Sequence, residues 1–460
     1  MQIFFNTLKI IFSLSLPILL GYLICEVILY KKFFFSFLQK LALGYGIGMG
    51  VLSVAMFSLS LLKIKFSVLS ITFSLLIVAV PFLLAHLKSN RISKNRLDEK
   101  QQKRAPFFHK LLIGIIIAVF LFVLLQALII PLAAWDSWAI YGFKAKAFYI
   151  EKTVTIDFLN DTTKSYSHPD YPLLVPLIET WIYICLGGWN DQLVKILFPL
   201  YFISLIIIFY NNLKYYIDKK YSLLFTSFFI TIPQFISLGS NGYADLPLIF
   251  YYFTSFVFLL KAYNNLDKRM LFISAMFAGF AAWTKNEGLV LSIFNVIILA
   301  AMIIIQRKIN RRNIIVLLEY SLVILLIIIP WICLKKSLGI ANDVVNGGNF
   351  NLASILNNLK KLPIILSWFG KEIIVFKSWN LLWVFSLAII TFNFKRIFIR
   401  PILFIFLSLF FYLGIWVFIY IISPYDINWH LATSLNRLLL QITPSVLFLD
   451  GLLICQNLNI

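Results

Sequence analysis

The stretch "LLIGIIIAVFLFVLLQALIIPLAAWDSWAI", residues 111–140, decides the fold. Residues 111–132 form an uncharged, strongly apolar run. At a rise of ~1.5 Å per residue such a run covers the ~30 Å hydrocarbon core of a bilayer. Directly beyond it Asp136 stands between Trp135 and Trp138, where a membrane helix more often carries a Lys or Arg anchor. One segment thus predicts a membrane crossing and raises the question of why an anion comes directly after it.

Similar runs recur along the whole chain of 460 residues, which is 61% hydrophobic and 13% charged, with a mean hydropathy of +0.91. Soluble domains run nearer half apolar and a quarter charged. The alternation expected of a transmembrane β-barrel is absent. The chain therefore reads as an all-α polytopic membrane protein. Orienting its apolar runs by Lys and Arg gives about 13 transmembrane helices. They fall near 8–29, 41–62, 66–87, 111–132, 191–212, 221–238, 246–262, 270–286, 288–306, 313–334, 379–394, 401–422 and 438–456.

The net charge of +21 is accounted for by topology rather than by nucleic acid, since no basic-aromatic nucleic-acid motif is present. Segments 31–40, 88–110, 213–220, 261–269, 307–312 and 395–400 hold 24 of the 40 Lys and Arg, whereas 12 of the 19 acids fall on the other side. The basic segments are cytoplasmic by the positive-inside rule. That puts the N-terminus outside, the C-terminus inside and the protein in a plasma (inner) membrane. The first apolar run lacks an A-x-A cleavage site and is followed by Lys31 and Lys32, so it reads as a span rather than a signal peptide. Cys25, Cys185, Cys333 and Cys455 have no metal-like spacing and read as small buried hydrophobes.

Two outer segments exceed simple turns. In 133–190, residues 137–150 are expected to form an interfacial helix with Trp138, Tyr141, Ala145, Phe148 and Tyr149 on one face and Lys144 and Lys146 off it. The apolar piece 172–187 is too short to cross and is expected to lie on or dip into the membrane, kinked by Pro176. In 335–378, Leu352, Ile355, Leu356, Leu359 and Leu362 mark a second amphipathic helix near 351–362.

Polar clusters collect on the outer side: "AAWDSWAI" (133–140), "SHPDYPLLVP" (167–176), "SNGYADLP" (240–247), "WTKNEG" (283–288) and "WHLATSLNRLLLQITP" (429–444). Acids, His and single cations on one side suggest one interfacial site. Each cluster has a plainer reading. Asp136 is a good N-cap for the helix after it, and Asp245 before Leu246 and Pro247 is a good helix start. His168 to Pro172 is a φ-restricted turn, Lys285 and Glu287 mark a charged hairpin tip, and Arg437 serves as an interfacial anchor.

In their order along the chain, "HPDYPLL", "GYADLPL", "AAWTKNEGL" and "TSLNRLLLQITP" after Asp136 resemble the GT-C glycosyltransferases. These are polytopic enzymes that use polyprenyl-phosphate-linked sugars and include protein O-mannosyltransferases and lipid A aminoarabinose transferases. The resemblance is clearest from about Lys110 to residue 306 and again over 423–445. It implies a GT-C-like helical bundle with a core at 111–334, preceded by a three-helix module (1–87) and a basic cytoplasmic loop (88–110). Residues 335–460 then supply an outer loop and three membrane helices.

The implied reaction moves a sugar, with inversion, from a polyprenyl-phosphate donor to a lipid, glycan or protein acceptor at the extracytoplasmic face. Asp136 would be the general base, with Lys285 and Arg437 holding the donor phosphate. His168, Asp170, Tyr171, Asp245, Glu287, Trp135 and Trp138 would contact sugar or acceptor. No cofactor is assigned. A divalent metal is left open, since Asp136, His168, Asp170 and Asp245 would suit a hard cation if they converged. Two other readings stay open: a polysaccharide polymerase or O-antigen-ligase-type enzyme, and a lipid-linked oligosaccharide flippase or transporter. The first more often carries several Arg in a long outer loop, whereas 335–378 has six Lys and no Arg. The second is expected to place ionisable groups mid-helix, and Glu319, the clearest such acid, lies near an inner end.

Overall fold

Helix formation follows from the apolar runs. In a bilayer the backbone must satisfy its own hydrogen bonds, and only helices and closed barrels do so. The computed structural model describes residues 1–30, 35–90, 107–342, 344 and 351–455, and these contain helices and no strand. The centre of the basic loop, 91–106, lies outside the described residues, as do Lys31 and Lys32.

The chain begins with α1 (Gln2–Ile28), α2 (Phe37–Leu61), α3 (Val68–Asn90) and α4 (Phe107–Ile129). A π-helix (Asp136–Gly142) leads into α5 (Phe143–Glu151) and α6 (Ile156–Asn160), and α7 (Leu174–Leu186) and α8 (Leu197–Tyr216) come next. Then come α9 (Lys219–Ile230), α10 (Pro233–Asn241), α11 (Asp245–Lys261), α12 (Lys268–Ala282), α13 (Asn286–Ile305) and α14 (Arg311–Ser337). The chain closes with α15 (Leu352–Asn358), α16 (Leu362–Glu372), α17 (Phe376–Trp379), α18 (Leu382–Phe392), α19 (Arg400–Ile422) and α20 (Ile427–Ile454).

This is a multi-pass membrane protein. Among the described residues nine helices are long and apolar enough to cross, or ten if α9 and α10 are one broken span. The nine coincide with nine of the expected crossings. The other four expected crossings are helical but shorter or interrupted. Residues 221–238 divide at Pro233 into α9 and α10, bent by 65°. α11 has 17 residues, α12 has 15 and α18 has 11. The last expected span begins earlier than read, at Ile427, so "WHLATSLNR" is helix rather than a helix mouth.

The described chain divides into two units. The first holds Met1–Ser167, Leu173–Asn211 and Gly239–Phe250; the second holds His168–Pro172, Asn212–Leu238 and Tyr251–Ile460. In the first unit α1, α2 and α3 pack together, and α7 packs on α1, α2 and α5. Backbone meets backbone between α1 and α2. A Cβ on Gly21 would overlap the Gly44 carbonyl, and one on Gly48 the Pro17 carbonyl. Gly44 and Gly48 form the small-xxx-small face that lets membrane helices approach closely. α7 is an apolar helix with Trp181 donating to the Ser13 carbonyl at 2.8 Å and Lys9 reaching the Leu186 carbonyl at 2.7 Å. Pro176 lies in its first turn, where the missing N–H is tolerated, so the expected kink is absent.

In the second unit α12, α13 and α14 form one cluster and α18, α19 and α20 another, with α13 touching α19. A buried polar network crosses the first cluster. Ser255 and Ser274 exchange hydroxyl-to-carbonyl bonds of 2.7 Å, and Tyr320 meets Ser274 at 2.9 Å. Asn295 donates to Ser255 at 2.8 Å. Interhelical bonds of this kind contribute about 0.6 kcal/mol each within a membrane. Glu319, expected near an inner end, pairs with Lys268 at 2.9 Å and is half exposed. The amphipathic stretch expected near 351–362 is helical, with α15 and α16 joined by a 3-10 turn and Leu352, Leu356 and Leu359 exposed.

The expected burial of cysteines holds for Cys25 and Cys185. Cys333 is exposed on α14 and Cys455 is half-buried, because the outward face of an apolar helix also accepts a thiol.

Candidate functional site

The exit of α4 is held by a neighbouring segment rather than by an anchor of its own. Lys195, almost fully buried, donates to the Ile130 carbonyl at 2.8 Å. Gln192 donates to the Ile129 carbonyl at 3.0 Å, and the Leu132 N–H reaches the Asp191 carbonyl at 3.1 Å. A cation at a helix C-terminus satisfies carbonyls that have no intrahelical partner and offsets the helix dipole. The charge missing from 111–135 is thus supplied from the 3-10 turn (Leu193–Ile196) that precedes α8.

Asp136 comes next, as the first residue of the π-helix, and is half-buried. The cap position belongs to Trp135, so the expected N-cap role for Asp136 is not found. Trp135 and Trp138 are 56% and 42% exposed and pack edge to face at 5.2 Å. Both remain available to a flat ligand or an interface. The π-helix corrects a second expectation. Lys144, expected off the apolar face, is fully buried, whereas Lys146 reaches Asp191 at 2.7 Å. The expected face assumes regular α spacing from residue 137, and a wider π-turn rotates every residue beyond it.

The "SNGYADLP" segment belongs to the same unit, and its Gly242 packs on this turn. Gly242 has φ +87°, and a Cβ there would lie 2.8 Å from Leu132 Cδ2 and 2.9 Å from Ser137 Cβ. Only glycine combines that conformation with so close an approach. Three residues on, Asp245 is fully buried as the first residue of α11, in keeping with the helix-start reading. The first unit therefore joins two of the sequence clusters, those carrying Asp136 and Asp245.

The second unit joins two others. His168 adopts φ +49° and stacks on Tyr171 at 4.8 Å, while the Tyr171 N–H returns to the His168 carbonyl at 3.1 Å. Both side chains are half-buried. Asp170, between them, is buried, and its Oδ2 accepts from Asn286 at 2.7 Å and from Asn342 at 2.8 Å.

Asn286 opens α13 in the "WTKNEG" cluster. The tip between α12 and α13 is tight: a Cβ on Gly288 would overlap the Ala281 carbonyl, and Ser292 donates to the Ala278 carbonyl at 2.6 Å. Lys285 is 4% exposed and ion-paired with Glu287 at 2.9 Å. An ammonium already bonded to a carboxylate offers an incoming phosphate less than a whole charge. Arg437 lies well inside α20 and is half-buried, and Ser434, one turn before it, meets Tyr420 at 2.8 Å.

Four groups were not singled out from the sequence. Lys195 and Gln192 position the turn that carries Asp136; a lone Lys opening the apolar run 193–213 was their signal. Asn342 had none, being one of several polar residues in 335–378. Glu179, in the middle of α7, is fully buried, and neither carboxylate oxygen has a hydrogen-bond partner. Burial pushes its pKa well above the carboxylate range; Asp191 adds to the shift and Lys146 opposes it. The signal for Glu179 was a single acid within "LLVPLIETWIYICL".

Among the described residues no three His, Cys, Asp or Glu side chains are grouped to hold a metal ion. No family model, curated protein or solved structure matches this chain.

Proposed function

We propose that the chain is an integral-membrane inverting glycosyltransferase that moves a sugar from a polyprenyl-phosphate donor to an acceptor at the extracytoplasmic face of the plasma membrane. One observation carries the reading: a half-buried carboxylate, flanked by two exposed indoles, opens a π-helix directly beyond a membrane span and is not its cap. π-Turns are rare and occur often at functional sites. The ordered resemblance of the five clusters to GT-C enzymes supplies the choice of chemistry.

In this reaction Asp136 accepts the proton of the acceptor hydroxyl as that oxygen attacks the anomeric carbon. The new bond forms on the face opposite the old one, so configuration inverts. The bond from the anomeric carbon to the phosphate oxygen breaks, and the lipid phosphate departs with the electron pair. Phosphate is a weak base and needs no general acid, but its charge needs cations. Arg437 and Lys285 take that role, with Lys285 shared between the phosphate and Glu287. Positive charge develops on the sugar ring, as in glycoside hydrolysis, and the Asp136 carboxylate also stabilises it. Trp135, Trp138, His168, Tyr171 and Asp245 are assigned to sugar or acceptor contacts. The outward active face, with the N-terminus outside and the C-terminus in the cytoplasm, belongs to the same proposal.

Membranes containing the wild-type chain or Asp136→Asn, incubated with labelled polyprenyl-phosphate sugars, test it. Transfer of label by the wild type and a loss of about 10²- to 10⁴-fold in the variant are expected. Full transfer by Asp136→Asn removes the base; no transfer by the wild type from any donor removes the reaction.

A further inference from the structure

We propose that Asn342 is a positioning residue: through Asp170 and Asn286 it clamps the outer segment after α14 onto the tip that carries Lys285. Three chain segments far apart in sequence meet at one carboxylate oxygen. Asn286 and Asn342 both donate to Asp170 Oδ2, at 2.7 and 2.8 Å, and Asp170 is buried. The orientation of the Asn342 amide is fixed from both ends, because its Oδ1 accepts the Val344 N–H at 3.1 Å while its Nδ2 faces Asp170. A flipped amide would lose both bonds.

The clamp bears on Lys285 through the backbone. Lys285 is extended, with φ −150° and ψ 158°, and Asn286 is the first helical residue after it. The Gly288 N–H closes this junction on the Lys285 carbonyl at 2.9 Å. Fixing the Asn286 side chain therefore fixes the point at which the chain turns from the Lys285 conformation into α13. The Lys285–Glu287 ion pair is built on that point. Asp170 is thereby reassigned from a sugar or acceptor contact to the hub of the clamp.

The existence of the clamp is independent of the reaction; its effect on donor handling rests on the transferase reading. Asn342→Asp separates the two partners cleanly. It keeps an oxygen for the Val344 N–H but sets a second carboxylate against Asp170. In the double variant Asp170→Asn/Asn342→Asp the amide and carboxylate exchange places. Residue 170 then donates both Nδ2 hydrogens from that one point, one to the residue 342 carboxylate and one to Asn286, whose amide turns over to present its Oδ1.

Hydrogen–deuterium exchange on the full chain in detergent, followed by mass spectrometry, reads the clamp directly. Exchange across 335–342 and 168–172 is expected to rise about tenfold in Asn342→Asp and to return to within about twofold of wild type in the double variant, since paired changes isolate one interaction. Unchanged exchange in Asn342→Asp, or no recovery in the double variant, overturns the clamp. With a labelled polyprenyl-phosphate sugar, donor KM is expected to rise about tenfold in Asn342→Asp with kcat kept within about threefold, the pattern of lost uniform binding. An unchanged KM alongside raised exchange overturns the positioning of Lys285. Absence of transfer by the wild type overturns the reaction, and the exchange result then decides the clamp by itself.

Discussion

Replacing Gly242 with alanine tests whether the turn carrying Asp136 is held in place by the loop that packs on it. The substitution has two costs. At φ +87° a side-chain-bearing residue is strained by about 1–2 kcal/mol. The new Cβ would lie 2.8 Å from Leu132 Cδ2 and 2.9 Å from Ser137 Cβ. Carbon atoms at rest sit about 3.5–4.0 Å apart, so the neighbours must give way by about 0.6–1.2 Å. Leu132 can swing its methyl aside, but the Ser137 Cβ moves only with its backbone, and Ser137 adjoins Asp136.

Overpacking of this kind costs about 1–3 kcal/mol, and a misplacement of about 1 Å in a reacting group lowers turnover about 100-fold. Gly242→Ala is therefore expected to reduce sugar transfer about 10- to 100-fold at wild-type protein level. Gly114→Ala is the control: nothing lies near its Cβ, it stands in the interior of α4, and it should leave turnover unchanged. Transfer of labelled sugar in membranes, normalised to chain content by immunoblot, measures both. Gly242→Ala with turnover within twofold of wild type would refute the argument that this packing sets Asp136.

Glu179 makes stability fall as pH rises. Its folded-state pKa is raised above the unfolded value, so the unfolded chain ionises first. Stability is fully present below the ordinary carboxylate range and is lost as pH climbs towards the folded value. Thermal unfolding in detergent across that range should slope downward for the wild type and be flatter for Glu179→Gln; parallel slopes would mean the carboxyl finds a partner on folding. For topology, Ile309→Cys in the turn between α13 and α14 is expected to resist membrane-impermeant thiol reagents added outside cells and to react after permeabilisation. Labelling from outside would reverse the orientation on which the outer clusters depend.

The spans legible in the sequence were those whose length alone decides them. α4 and α13 each present about twenty residues or more between charges, and tertiary context has little to override there. The runs that came out short carried weaker cues. Pro233 marked the break between α9 and α10, because the residue before a proline is pushed out of the helical region. Residues 268–282 and 382–392 stop short of the expected spans because Trp283 and Thr284, Asn380 and Leu381, and Asn393 form turns. Lys144 falls on the buried face of 137–150 because regular spacing does not encode a π-turn.

Within the candidate site, cluster membership was readable and partnership was not. Asp170 and Asn342 are separated by more than 170 residues, and no local pattern announces that an amide will meet a carboxylate. The same holds for Lys285: as the cation of a polar cluster at a helix mouth it suits a phosphate, and only the fold shows Glu287 bonded to it.

The cation that Lys195 lends to the end of α4 explains the charge map around Asp136. From Leu111 to Phe143 that acid is the only Asp, Glu, Lys or Arg the chain encodes. A span that imported no charge would need a basic residue at its own boundary, and that residue would be the acid's near neighbour along the backbone. By borrowing its terminal counter-charge from another helix, the protein leaves one anion as the sole formal charge written into an otherwise neutral strip.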